Sequence, residues 1–139
     1  MIQRKQTLWL LLATVAAVLT FMFPFATGEE LIKENMKQNT EITAGSNFFT
    51  LILSIVTIGI SAISIFMFKD RKLQLRLCLF GLLIAISILV LYVLEMNKLV
   101  TSTPALWAIL PVVIIVCYFF AFRGIRSDEK LVKSLDKLR

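Results

Sequence analysis

Four long stretches of almost uninterrupted apolar residues dominate the chain, and short polar segments separate them. A helix needs about 20 apolar residues to cross a hydrocarbon layer of roughly 30 Å. Backbone groups in lipid must hydrogen-bond within their own segment, so each stretch is expected to be helical. The pattern therefore predicts an all-α membrane protein, a four-helix transmembrane bundle with spans at about residues 7–26, 47–68, 73–94 and 103–122.

The last segment, residues 123–139, has a different pattern. Three leucines lie within about 60° on a helical wheel, with Val132 beside them, and four basic residues lie within about 60° on the opposite side. Ser127 is the predicted N-cap. We therefore expect a short amphipathic helix with a basic face. Its leucines are Leu131, Leu135 and Leu138, and its basic residues, with Arg123 at the start of the segment, are Arg126, Lys130, Lys133 and Lys137.

The distribution of charge predicts an orientation. Twelve of the fifteen lysine and arginine residues lie in the N-terminal segment, the turn between the second and third spans, and the C-terminal segment. The other three are Lys33, Lys37 and Lys98. Loops rich in lysine and arginine stay in the cytoplasm. Both termini are therefore predicted to be cytoplasmic.

The first span has one alternative interpretation, a cleaved signal peptide. Two basic residues precede it, and Ala26, Thr27 and Gly28 form a small-x-small sequence after it. Its apolar run is longer than the roughly 7–15 residues of a signal peptide. Retention as a membrane span is therefore favoured over cleavage.

A stripe of hydroxyl groups follows one face of the second span. It suits either a polar pathway for a solute or close packing between helices, where small side chains let the backbones approach. Packing is favoured because conduction normally also needs charged or carbonyl groups. The predicted packing face consists of Thr50, Ser54, Thr57, Ser61 and Ser64, together with Gly81 and Ala85 of the third span.

No set of residues indicates catalysis or a cofactor. Histidine is absent, which removes the commonest metal ligand and the usual general base. Cys78 and Cys117 lie in apolar runs and form no C-x-x-C motif. Ionisable residues inside spans would indicate pumps or coupled transporters, and only Arg76 lies slightly within one. We therefore predict that the protein is not an enzyme and binds no cofactor or metal.

Three expectations concern the segments between and within the spans. A short interfacial helix is expected in residues 28–46, where Glu29 and Lys33 are spaced i,i+4. Pro104 is expected to begin the fourth helix after a hydroxyl cap. Pro111 is expected to kink that helix in the middle of its span.

Three sequence stretches resemble a bacterial family of small four-span membrane proteins known only as a domain of unknown function. They are MIQRKQTLWLL, RKLQLRLC and RGIRSDEKLVKSLDKLR, with Lys5 and Leu135 as departures from the family pattern. The resemblance covers nearly the whole chain. It implies an integral protein of the bacterial inner (plasma) membrane and supplies no activity or catalytic residue.

Two functional hypotheses follow. The first is a non-enzymatic scaffold or accessory subunit that presents the basic tail to membrane lipid or to an unidentified membrane or cytoplasmic protein. The alternative is a passive conduit or carrier for small solutes along the hydroxyl stripe. The small helix faces also suit a homo-oligomer. Nucleic acid is disfavoured because four cations without interleaved aromatic residues are a weak signal.

Overall fold

Four long helices form the body of the protein. A computed structural model describes residues 2–31 and 36–138, with side chains from Lys5 onward in that part. The helices are α1 (Ile2–Met22), α2 (Phe48–Phe66), α3 (Arg71–Met96) and α4 (Ile109–Lys137), and a 3-10 turn at Leu106–Ala108 precedes α4. All four are long and apolar enough to cross a membrane. The prediction of a four-helix membrane bundle is confirmed, and the chain is a multi-pass membrane protein.

The helices pack as a ring in chain order. α1 packs against α2 and α4, and α3 packs against α2 and α4. The start of α1, the end of α4 and the turn between α2 and α3 lie at one end of the bundle, which we call the terminal end. The other connections lie at the opposite end, which carries the strands described below and which we call the sheet end.

Small side chains line much of the interior beside a few large ones such as Tyr92 and Tyr118, and many large apolar side chains point outward. α1 buries three alanines, and α4 buries Cys117 and Ala121 against them. This distribution suits lipid, where small residues let helices approach and large ones face the hydrocarbon. The buried alanines of α1 are Ala13, Ala16 and Ala17, and exposed large residues include Leu8, Leu12, Phe49, Ile55, Phe80, Leu83 and Phe119.

The segment after α1 forms strands and not the expected interfacial helix. β1 (Ala26–Leu31) pairs antiparallel with β2 (Lys37–Ile42) on one side and with β3 (Thr101–Pro104) on the other. Gly28 faces β3 closely, since a Cβ atom there would overlap the Thr101 carbonyl oxygen. The predicted i,i+4 partner of Glu29, Lys33, lies outside the described residues; Glu29 instead pairs with Lys37 across the strands, Oε2 to Nζ 3.1 Å.

The two proline expectations in the fourth span are wrong. Pro104 lies in edge strand β3 opposite Ala26 and does not begin a helix. Pro111 lies in the first turn of α4, which begins at Ile109. Proline is tolerated in the first turn of a helix, where N–H groups lack partners within it, so Pro111 does not lie where it would kink the middle of α4.

The C-terminal segment is helical, but it is a direct continuation of α4. The helix runs from Ile109 to Lys137 without a break. The prediction that Ser127 caps a separate helix is therefore wrong, because Ser127 lies inside α4. Nothing between Arg123 and Asp128 stops a helix that has already begun: there is no proline, and one glycine costs only about 1 kcal/mol.

Candidate functional site

The bundle-facing side of α4 continues past the end of the bundle. Ala121, Asp128 and Leu135 are seven residues apart and so lie on one face of the helix. The first two are buried, whereas Leu135 is 63% exposed. Leu131 and Leu138 beside it are 49% and 85% exposed. We call Leu131, Leu135 and Leu138 the leucine stripe; within the described residues, no other element covers it.

The five basic residues predicted to contact a partner or lipid all lie on exposed positions of α4. Lys133 also forms an i,i+4 ion pair with Glu129, Nζ to Oε1 3.0 Å. Such a surface pair contributes little to stability. The structure therefore brings these residues onto one helix, where Arg123 lies level with the bundle and the other four lie further along: Arg126, Lys130, Lys133 and Lys137.

A wide cleft separates the end of α4 from the turn between α2 and α3. Its volume is about 760 Å³. Four cations and three carboxylates surround the apolar side chains of Phe68 and Val132, so the cleft suits a charged polypeptide better than a small neutral solute. The charged lining residues are Lys69, Asp70, Arg71, Lys72, Glu129, Lys133 and Asp136.

A buried polar pair marks the level at which the bundle ends. The Gln6 side-chain amide of α1 donates a hydrogen bond to Asp128 Oδ2 of α4. Each residue is only 6% exposed. Asp128 Oδ1 is buried and has no hydrogen-bond partner among the side chains that the structure describes.

Sequence reasoning missed this pair. With Ser127 as the predicted N-cap, Asp128 would lie in the first turn of a separate helix, where carboxylates favour the helix dipole, and no role was predicted for Gln6. One signal was present: Asp128 occupies the same heptad position as Ala121 and Leu135, which predicts a bundle-facing side chain.

The hydroxyl stripe of α2 faces the bundle interior, and all five of its residues are buried. Four of the hydroxyls donate to backbone carbonyls of the preceding turn, at oxygen–oxygen distances of 2.7 to 2.9 Å. These residues are Thr50, Thr57, Ser61 and Ser64. Hydroxyls bonded within their own helix need no water or solute.

The same stripe joins α2 to the other three helices. Thr14 of α1 donates to Ser61 Oγ at 2.8 Å. Tyr118 of α4 donates its hydroxyl to the Thr57 carbonyl at 3.0 Å. Gln74 of α3 donates to the Ser64 carbonyl at 2.9 Å. These contacts are helix–helix hydrogen bonds of the kind that stabilises membrane bundles.

The predicted small residues of α3 lie where α4 approaches. A Cβ atom at Gly81 would lie 2.7 Å from Cε1 of Tyr118, so only glycine admits that ring. Ala85 borders an internal space of about 10 Å³ together with Ser54 and Thr57. This volume is near the minimum for one water molecule, which favours packing over a solute pathway.

The described residues contain no group of three or more histidine, cysteine, aspartate or glutamate side chains placed to hold a metal ion. Cys78 and Cys117 are both buried and free. The terminal end carries three distinct surfaces, namely the leucine stripe, the charged cleft and the exposed cations.

Comparison with known proteins points to one family. No curated protein and no solved structure matches the chain. One family model, described as "Domain of unknown function (DUF4293)", matches residues 2–138. The predicted resemblance to an uncharacterised family is thereby confirmed. Because the match spans nearly the entire sequence, the chain belongs to the family described as a domain of unknown function, DUF4293.

Proposed function

We propose that the protein is a non-enzymatic scaffold or accessory subunit of the bacterial inner membrane that holds a partner protein on the exposed end of α4. The observation that carries this proposal is the continuity of α4 through Lys137, with the leucine stripe exposed beyond Asp128. Both termini lie in the cytoplasm, so the partner is a cytoplasmic protein or the cytoplasmic part of a membrane protein.

The orientation rests on where the cations lie. The terminal end contains twelve lysine and arginine residues in sequence, and the sheet end contains three. Positively charged loops remain on the cytoplasmic side during insertion. The fold supports this assignment because Gln6 and Asp128 bond one terminal segment to the other at the same end of the bundle.

The length and direction of α4 favour a protein partner over lipid. The 29 residues of α4 span about 43 Å at 1.5 Å per residue, whereas the hydrocarbon layer is roughly 30 Å thick. A helix that leaves the bilayer in line with its span places its last turns in water. An interfacial helix instead lies in the plane of the membrane. The leucine stripe is therefore an apolar surface in water that a partner helix would cover.

The charges beside the leucine stripe specify the chemistry of the partner. Within the basic face opposite the leucine stripe, Lys130 and Lys137 lie nearest to one edge of the stripe, and Glu129 and Asp136 lie towards its other edge. An apolar helix with acidic residues facing Lys130 and Lys137 would match this surface.

Photo-crosslinking in native membranes tests the proposal. A photoreactive amino acid replaces Leu135 in one full-length variant and Lys133, on the far side of the same helix, in a matched control. The Leu135 probe should give one discrete protein adduct that the Lys133 probe does not give. That adduct should disappear when Leu131 and Leu138 are both changed to lysine. Adducts with lipid alone, or equal adducts from the two positions, would refute a protein-docking role.

A further inference from the structure

A groove on the outside of the bundle lies between α1 and α4 near the terminal end. Its volume is about 320 Å³. Two cations, Lys5 and Arg123, and the Ser127 hydroxyl lie along it with the aromatic rings of Trp9 and Phe120. Among its described lining residues there is no carboxylate. The groove is therefore positively charged at one end and aromatic at the other.

A second groove continues from the first along α1. It has a volume of about 280 Å³ and is bordered by Leu8 and Leu12 together with Lys5 and Trp9, which it shares with the first groove. Leu8 and Leu12 are exposed on the outside of the bundle, where large apolar side chains face hydrocarbon. The two grooves form a single surface with cationic side chains at one end and aliphatic leucine side chains at the other.

The order of these groups along the membrane normal matches the order of groups in a phospholipid. Lys5 precedes the first apolar run (residues 7–26) and Arg123 follows the fourth (residues 103–122), which places both at headgroup level. Trp9 and Phe120 lie about one turn deeper, and their rings stack with centroids 5.0 Å apart and planes 23° apart. Tryptophan is enriched at this interfacial depth. Leu12 lies deeper again, at the level of acyl chains.

The wall behind the groove is closely packed. A Cβ atom at Gly124 would lie 3.0 Å from Cγ of Gln6, and Gln6 is bonded to Asp128. α1 and α4 are thus held together directly behind Lys5 and Arg123. This arrangement fixes the backbone positions of the two cations relative to each other.

We propose that this α1–α4 groove is a binding site for one anionic phospholipid. The headgroup phosphate lies between Lys5 and Arg123 and accepts a hydrogen bond from Ser127, while the acyl chains lie along Trp9, Leu12 and Phe120. The site is independent of the leucine stripe and of any protein partner. Lipid is the occupant because half of the surface lies at a depth that no water-soluble anion reaches.

Lipid counting by native mass spectrometry tests the site. The full chain is reconstituted with equal amounts of phosphatidylglycerol and phosphatidylethanolamine, and the lipids retained in mild detergent are counted. The wild-type protein should retain one phosphatidylglycerol. Retention should fall at least tenfold in Lys5→Gln/Arg123→Gln and return in Lys5→Arg/Arg123→Lys, which keeps both charges.

The matched control is Lys69→Gln/Lys72→Gln, which removes the same charge at the same end of the bundle but outside the groove. It should retain phosphatidylglycerol as the wild type does. Three results would overturn the proposal: equal loss in this control, equal retention of phosphatidylethanolamine, or displacement of the lipid by glycerol phosphate. The first would indicate diffuse attraction to charge, and the last a site for a soluble phosphate. Both cations are exposed, so the substitutions should leave the fold intact, as a thermal unfolding curve checks.

Discussion

Gln6 of α1 and Asp128 of α4 form a buried hydrogen bond although 122 positions separate them in the sequence. The bond joins the first helix to the last at the point where their shared interface ends. Beyond it the same side of α4 carries the exposed leucine stripe. The pair thus separates the part of α4 that belongs to the bundle from the part that is available to other molecules.

Removal of the Asp128 side chain should destabilise the bundle. Asp128→Ala leaves the buried Gln6 amide without its acceptor, which costs about 1–3 kcal/mol. Asp128→Asn retains a carbonyl oxygen as acceptor and should cost less. Reversible unfolding in mixed detergent micelles measures the difference. Asp136→Ala on the exposed part of α4 is the control and should change stability by less than about 0.5 kcal/mol; equal losses at the two positions would contradict a structural role for the pair.

Gly81 and Gly59 should respond differently to alanine. Gly81→Ala places a methyl group 2.7 Å from the Tyr118 ring, and overpacking of this kind costs roughly 1–3 kcal/mol. A methyl group at Gly59 meets nothing within 4 Å, and alanine favours a helix by about 0.5–1 kcal/mol over glycine. The same unfolding assay should show a loss at the first position and no loss at the second. A Gly81→Ala variant as stable as the wild type would mean that α3 and α4 are not closely packed where Gly81 meets the Tyr118 ring.

Tyr118→Phe should cost little despite the buried hydroxyl. The ring keeps its place against Gly81, whereas the hydroxyl loses its hydrogen bond to the Thr57 carbonyl and its contact with Ser61. Hydrogen bonds between membrane helices average about 0.6 kcal/mol, with a maximum near 1.7 kcal/mol. Comparison of the free energies of unfolding of Tyr118→Phe and Tyr118→Ala separates the contribution of the hydroxyl from that of the ring. A loss in Tyr118→Phe as large as in Tyr118→Ala would show that the hydroxyl, and not the ring, dominates.

Leu135→Lys should spare the fold and abolish partner capture. Leu135 is 63% exposed, so the free energy of unfolding should change by less than about 0.5 kcal/mol. Recovery of the crosslinked partner, measured with a probe at Leu131, should fall at least tenfold. Ser134→Lys adds the same charge on the neighbouring position and should retain more of the adduct. Unchanged recovery in Leu135→Lys would exclude the leucine stripe as the docking surface.

The number of helices was predictable from sequence because each span is a continuous apolar run that only a helix can accommodate in lipid. The start of the fourth helix near Pro104 was not predictable. Residues there form β3, which pairs with β1, so that Thr103 lies opposite Thr27, far away in the sequence. The helix expected around Glu29 failed for the same reason. Local spacing favoured an i,i+4 pair, whereas long-range strand pairing decided the structure.

The candidate site was predictable in part. The helical-wheel distribution of residues 123–139 located the leucines and the basic face. The change from apolar to charged residues at Arg123, however, was interpreted as a boundary between two helices. Composition changes there because the chain meets water, and the backbone hydrogen bonds of α4 continue through it. The groove around Trp9 and Phe120 depends on which helices are neighbours, and that information is absent from any single segment.

The continuity of α4 has a mechanical consequence. A helix with no break at the membrane surface moves as one rigid element along its length. If α4 tilts in response to bilayer thickness or to the lipid beside it, the tip near Lys137 is displaced in proportion. The position of that tip would therefore change with the tilt of the span.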